Sequence, residues 1–253
     1  MVDGFVDSAA HRAAVLRFLN DCLQHFSDRE SVRLPAANRR ALIMLWGPIN
    51  QVARFVRAGA HLFNAGLEID AQVLARSALE YAMTIQYAYL RVDGLDRLEK
   101  GSYYQRKKLF ESLAEWNDDP TYLDLVPKDA TKPGAKGMPK FSEIINILDP
   151  AHLYLHTTYA VLSQVTHVTP GSQTRYFAVE NDELILDPGR AEDGFGNVTV
   201  GALAFAMMGA TWVLAHMMHD TERLEALDRY SDRLKIPLRY DEDWPASQRA
   251  HHD

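Results

Sequence analysis

Apolar positions recur at helical spacing along almost the whole chain. Val15, Phe18, Leu19, Cys22 and Phe26 share one face, and Ser8 stands where an N-cap would, so a first helix is predicted from about Ser8 to Phe26. The polar, proline-containing stretch SDRESVRLPAAN is a connector. A second helix is predicted from about Asn38 to Asn64, apolar at Leu42, Leu45, Ile49, Val52, Val56 and Leu62. Gly47-Pro48 should kink or split it, because proline removes a ladder hydrogen bond and clashes with the preceding turn. A third, richly apolar helix spans about Leu67 to Arg91, and a fourth, heavily charged, spans about Leu95 to Trp116. A long loop rich in proline and glycine, about Asn117 to Pro139, precedes a short helix from Phe141 to Leu148.

Asp149-Pro150 has the form of an N-cap followed by an N1 proline. It introduces a helix without a charge, Ala151 to Val168, which Thr169-Pro170-Gly171 ends. TRYFAV and ELILD, separated by a polar turn at Asn181-Asp182, predict a β-hairpin. The last helix is predicted from about Asn197 to Tyr230, and its first part, Val198 to Ala215, carries no charge. That length meets the threshold for a membrane span. Its Ala- and Gly-rich composition and acidic flanks (Glu192, Asp193, Asp220, Glu222) instead favour a helix buried in a soluble bundle. Ala202, Ala206 and Ala210 would form a small-residue ridge for close helix approach. The expected fold is all-α, a single helical bundle of six to eight helices with one small β-hairpin insert. It spans residues 1–237, with 238–253 a flexible tail.

Charge and composition narrow the function. The 253 residues carry 27 Lys plus Arg against 34 Asp plus Glu, a formal charge of −7. This argues against electrostatically driven binding of bulk nucleic acid or an acidic membrane, although a local basic patch stays open. The single cysteine, Cys22, excludes an internal disulfide framework and a Cys-rich zinc module. The start MVDGFVDSAAHR lacks the basic and apolar regions of a secretion signal, so a cytoplasmic protein is expected. No Gly-rich phosphate loop, Gly-x-Ser-x-Gly elbow or zinc-finger spacing occurs, and no cofactor is implied.

Two constellations carry candidate chemistry. On the uncharged helix, His152, His156, Tyr159, Ser163 and His167 are three or four residues apart and line one stripe. Arg76 and Glu80 lie one turn apart on the third helix, on a face continued by Gln72 and Thr84. Most other sides of that helix are apolar or aromatic. If Arg76 and Glu80 point inward, both charges need partners, and the His/Ser helix could supply them. The bland alternatives are a solvated ion pair and a serine bonded back to its own helix. His152, His156, His216, His219, Asp220 and Glu80 supply donors for a metal site in a bundle core, but without the duplicated Glu-x-x-His pattern of di-iron proteins. Arg106-Lys107-Lys108 beside Tyr103 and Tyr104, with Lys128, Lys132, Lys136 and Lys140, would touch phosphate or single-stranded RNA, or simply form a solvated face. Cys22 has no base nearby and is expected to be packed.

The Arg-Ser-x-x-Glu segment at 76–80, followed by Tyr-x-x-Leu-Ser-x-x-x-His at 159–167, resembles an uncharacterised bacterial helical domain family. That family is distantly similar to the HEPN group, several members of which are ribonucleases of toxin and antiphage systems. The resemblance covers most of residues 40–225 and matches at Arg76, Glu80, Ser163 and His167. HEPN nucleases use an Arg and a His on one helix with four to six residues between them. No Arg holds that place before His167, and Arg54-FVRAGA-His61 has the spacing but places Phe55 where a polar residue is usual.

Three functions stay open. The first is a helical protein of bacterial stress or antiphage type, acting on a phosphate-containing or nucleic-acid substrate. There Arg76, Glu80, Ser163 and His167 are the catalytic set, with Tyr159 and His156 binding. His167 would be the general acid/base, and Arg76 would stabilise an anion. The second is a non-catalytic binding or scaffold module in which the same centre is structural. The third is a metal-binding bundle. Expected partners are a small molecule or RNA and a second copy of the chain, with no membrane.

Overall fold

Two helices built from small and flexible side chains form the centre of the protein. In the computed structural model, which describes residues 9–26, 35–129, 131–151, 154–166, 177–180, 183–186 and 196–250, α3 (Glu68–Leu90) and α7 (Gly196–Met218) pack along each other. Ala71, Ala75, Ala78 and Ala82 of α3 and Ala202, Ala206 and Ala210 of α7 are completely buried. Side chains this short let the two backbones approach, and Gln86 Nε2 reaches across to donate to the Gly209 carbonyl at 3.1 Å. The α7 segment long enough for a membrane span is 94% buried inside the protein.

Around this pair lie α2 (Arg39–Asn64), which packs on both, and α1 (Ala9–His25), which covers α7. Gly59 of α2 admits Leu203, whose methyl carbons stand 3.0 and 3.2 Å from the position a Cβ would take. The helix is unbroken through Gly47-Pro48, so the expected split does not occur. Burial of Leu45, Ile49, Val52 and Val56 at zero exposure outweighs the one ladder bond that proline removes. Ser8, the expected cap of α1, lies outside the described residues.

The turn from α3 into α4 (Gly94–Asn117) is tight enough that a Cβ at Gly94 would overlap the Ala88 carbonyl. Gly94 is the one buried residue of α4, which otherwise stands at the surface. The stretch after it is less loose than expected. A 3-10 turn, Pro120–Leu125, folds back on α4, and Lys100 pairs with Asp129 at 2.5 Å and Lys132 with Asp96 at 3.3 Å. Next come α5 (Phe141–Leu148) and α6 (Leu155–Thr166).

Three boundaries differ from the sequence pattern for local reasons. Helix α6 begins at Leu155 and not near Ala151, yet Asp149 still caps it across the intervening turn: its Oδ2 accepts from the N–H groups of Tyr154 and Leu155 at 3.0 and 2.8 Å. The expected helix from Asn197 to Tyr230 is two helices. His219 adopts φ +56, and Asp220 Oδ1 accepts from Arg223 N at 3.0 Å, starting α8 (Thr221–Leu234). The segment from Leu238 onward, read as a flexible tail, is packed through Ala250. Asp241 and Trp244 are buried, Trp244 Nε1 donates to the Ile147 carbonyl, and Ala250 N donates to the Leu90 carbonyl at 2.7 Å. Its polar composition hid these anchors. The hairpin of β1 (Phe177–Glu180) and β2 (Glu183–Leu186) pairs antiparallel, with Phe177 opposite Leu186. An all-α bundle with this small insert is the architecture.

Candidate functional site

Helix α3 has an alanine-rich side in the core and a polar side turned toward α6. On that polar side Arg76 and Glu80 are joined by Nη2 and Oε1 at 3.0 Å. Tyr159 of α6 enters between them: its hydroxyl accepts from Arg76 Nη2 at 2.7 Å and donates to Glu80 Oε1 at 3.0 Å. Arg76 Nη1 donates to Thr166 Oγ1 at 2.9 Å, and the guanidinium carbon lies 5.0 Å from the Tyr159 ring centroid. Phe141 of α5 packs on the same ring at 4.8 Å. An isolated Arg-to-Glu pair in this order is worth only a few tenths of a kcal/mol (~0.2–0.5) on a helix. Here a second helix is tied to it, and the side chains are 19% and 35% exposed.

Ser163 and Thr166 complete the α6 side differently from the expected catalytic arrangement. Ser163 Oγ donates to the Tyr159 carbonyl at 2.7 Å, and Thr166 Oγ1 donates to the Ser163 carbonyl at 3.2 Å. These are back-bonds within one helix. Thr166 therefore links the α6 backbone to Arg76, a role not singled out from sequence. Its place seven residues after Tyr159, two turns along the same stripe, is the signal that would have found it. Thr84, on the same α3 face as Glu80, donates to the Glu80 carbonyl at 2.7 Å. His156 is half-buried on α6. His152 and His167 lie outside the described residues.

Beyond Glu80 a cavity of about 450 Å³ opens between α2, α3, α4 and α5. Pro48, Tyr81, Leu98, Met138, Phe141 and Ile144 give it apolar walls, while Thr84, Ser102 and Gln105 add neutral polar groups. Among the described residues, Glu80 is its only charged lining residue. A second hollow, about 550 Å³, lies beside Tyr89 and Arg91, and its charged groups are held in ion pairs, Arg91 with Asp93 at 2.7 Å. Arg40 holds Asp96 at 2.7 Å and Glu99 at 2.8 Å, and Lys132 also reaches Asp96.

The other expected chemistries are distributed across the fold. His216 Nδ1 pairs with the Tyr89 hydroxyl at 2.9 Å, and His219 Nε2 lies 3.3 Å from Asn38 Nδ2. Among the described residues, no group of three or more His, Cys, Asp or Glu is placed to hold a metal ion. Of the basic cluster, Lys107 pairs with Glu111 at 3.8 Å, while the neighbouring Lys100 lies over the rings of Tyr103 and Tyr104. Burial pushes the Cys22 thiol up to about 12, so it is a protonated core side chain.

The chain belongs to a family of unknown function, DUF5677, which matches residues 50–184 and so includes Arg76, Glu80, Tyr159 and Ser163. No curated protein and no solved structure matches it.

Proposed function

We propose that this member of a family of unknown function is a non-catalytic helical binding module. In this reading the Arg76–Glu80–Tyr159–Thr166 network ties α6 to α3, and the cavity beside Glu80 receives a small ligand. The observation that carries it is that, among the described residues, the hydroxyls of the centre are engaged inside the protein. The Tyr159 hydroxyl both accepts and donates, and the Ser163 hydroxyl is given to a backbone carbonyl. A nucleophile or general base needs its reactive atom within reach of a substrate proton or electrophile, whereas a cavity with apolar walls and few polar groups is the ordinary form of a ligand site.

A second reading keeps the enzymatic chemistry of a stress or antiphage protein, with RNA or another phosphate-containing substrate. One observation favours it: Thr166, which precedes His167 in the chain, accepts directly from Arg76. The two readings separate in one experiment. The purified protein is incubated with RNA oligonucleotides and screened against a fragment library by NMR, alongside His167→Ala. The binding reading expects fragments that shift cavity residues such as Tyr81 and Met138, and no RNA cleavage. Cleavage by the wild type that is lost in a folded His167→Ala protein would overturn it in favour of the enzyme.

A further inference from the structure

The chemistry of the cavity narrows its ligand, on the premise that the cavity is a ligand site at all. Among the described residues, every lining residue but one is apolar or neutral, and the exception is the carboxylate of Glu80. Its Oε1 is engaged by Arg76 and Tyr159, while Oε2 takes no partner among the described residues. Arg76 does not line the cavity, and its donors go to Tyr159 and Thr166 on α6 and to Glu80 Oε1 at 3.0 Å. A cation inside the cavity therefore meets the carboxylate before the guanidinium. Two aromatic residues, Tyr81 and Phe141, stand in the same wall. A carboxylate near aromatic rings favours a cation, through a charge-assisted hydrogen bond and the attraction of cations to aromatic rings. The apolar walls, Pro48, Leu98, Met138 and Ile144, suit a hydrocarbon body, and Thr84, Ser102 and Gln105 add only neutral polar groups. An inorganic cation fits poorly, since a single carboxylate is far short of the oxygen set that calcium or magnesium requires.

We propose that this cavity binds a small organic ammonium, a primary or secondary amine on an apolar or aromatic body, with the N–H directed at Glu80. A volume of about 450 Å³ lies within the ordinary range for small-molecule sites.

The test titrates the full-length protein by calorimetry with 2-phenylethylammonium and with its neutral counterpart 2-phenylethanol. The two share a body and differ in charge. The wild type is expected to bind the ammonium roughly 10- to 100-fold more tightly than the alcohol, the gain of a charge-assisted bond. Glu80→Gln should remove that preference while leaving the alcohol unaffected. Ser102→Trp, a surface substitution on α4 that fills the cavity without touching the Arg76 network, should abolish binding of both. Absence of ammonium binding to the wild type overturns the proposal. So does a preference that survives Glu80→Gln, or binding that survives Ser102→Trp. If the alcohol binds as well as the ammonium and Ser102→Trp blocks both, the cavity is a ligand site and the inference about charge fails alone. If neither compound binds and the fragment screen finds no occupant, the binding reading fails with it.

Discussion

Substitution of Tyr159 by phenylalanine removes one oxygen and leaves the packing on Phe141 and Arg76 in place, so it isolates the polar bridge between α3 and α6. The lost hydroxyl accepts from Arg76 at 2.7 Å and donates to Glu80 at 3.0 Å. A hydrogen bond to a charged group contributes about 1.5–3 kcal/mol net when well buried. Two considerations reduce that sum. The partners are 19% and 35% exposed, so water replaces part of what is lost, and the direct Arg76–Glu80 contact at 3.0 Å survives. The expected cost of Tyr159→Phe is therefore about 1–2 kcal/mol. For a domain of this size, that lowers Tm by roughly 2–8 °C. Urea unfolding followed by circular dichroism and by tryptophan fluorescence measures it, with coincident curves as the check on two-state behaviour. A double-mutant cycle with Arg76→Met separates the bridge from general loss of stability, because methionine keeps much of the stem that packs on the ring. The coupling should be about 0.5–2 kcal/mol. A Tyr159→Phe protein within about 0.3 kcal/mol of the wild type, or a coupling of zero, would refute the claim that this network holds α6 in register.

Asp149→Ala removes the acceptor for two N–H groups at the start of α6 and should cost about 1–2 kcal/mol, seen as a lower urea midpoint. Trp244→Ala should cost about 3 kcal/mol, since the ring is buried; a change near zero would mean that the C-terminal segment is not anchored in solution. Cys22, with its thiol raised from 9.0 to about 12, stays protonated in the folded chain while the unfolded chain ionises, so stability should fall as pH rises from about 9 toward 12. Cys22→Ala should flatten that part of the stability–pH curve, and the native thiol should resist iodoacetamide at pH 8 until the protein unfolds.

The parts of the fold that were legible are those governed by long apolar periodicity. The alanines of α7 announce a helix that must be surrounded, and the structure surrounds it with α1, α2 and α3. Misplaced boundaries fall where one polar side chain decides the geometry. Asp220 starts a new helix inside a continuous helical pattern, and Asp149 caps α6 from beyond a turn and not from the adjacent residue. The tail misled for a related reason: Asp241 and Trp244 sit among exposed polar residues, and composition does not reveal which two are buried. In the candidate site, spacing offered the uncharged helix as the partner of Arg76 and Glu80 without saying that Tyr159 would be the residue that meets both. Thr166 and the cavity were not singled out, because a void between four helices leaves no mark on the periodicity of any one of them.

Spacing also could not say what the centre is for, and the direction of each hydroxyl helps decide that. A serine four residues before a histidine suggests a proton relay, but Ser163 donates backwards to Tyr159, and the proton is committed to the helix that carries it. The Arg76 charge is likewise neutralised by Glu80 on the same helix before any ligand arrives. A site meant to stabilise an incoming phosphate gains most from a cation held ready and unpaired, because breaking a half-buried ion pair subtracts from the binding energy. Glu80 is neutralised by the same contact, but it differs from Arg76 in facing the cavity. It is the more exposed partner, its Oε2 takes no hydrogen bond among the described residues, and it lines a cavity that Arg76 does not. The same pair that makes an anion site unfavourable on the α6 side leaves a carboxylate available on the α4 side. That asymmetry favours a binding role over a phosphoryl-directed one, and it favours a ligand that brings its own positive charge.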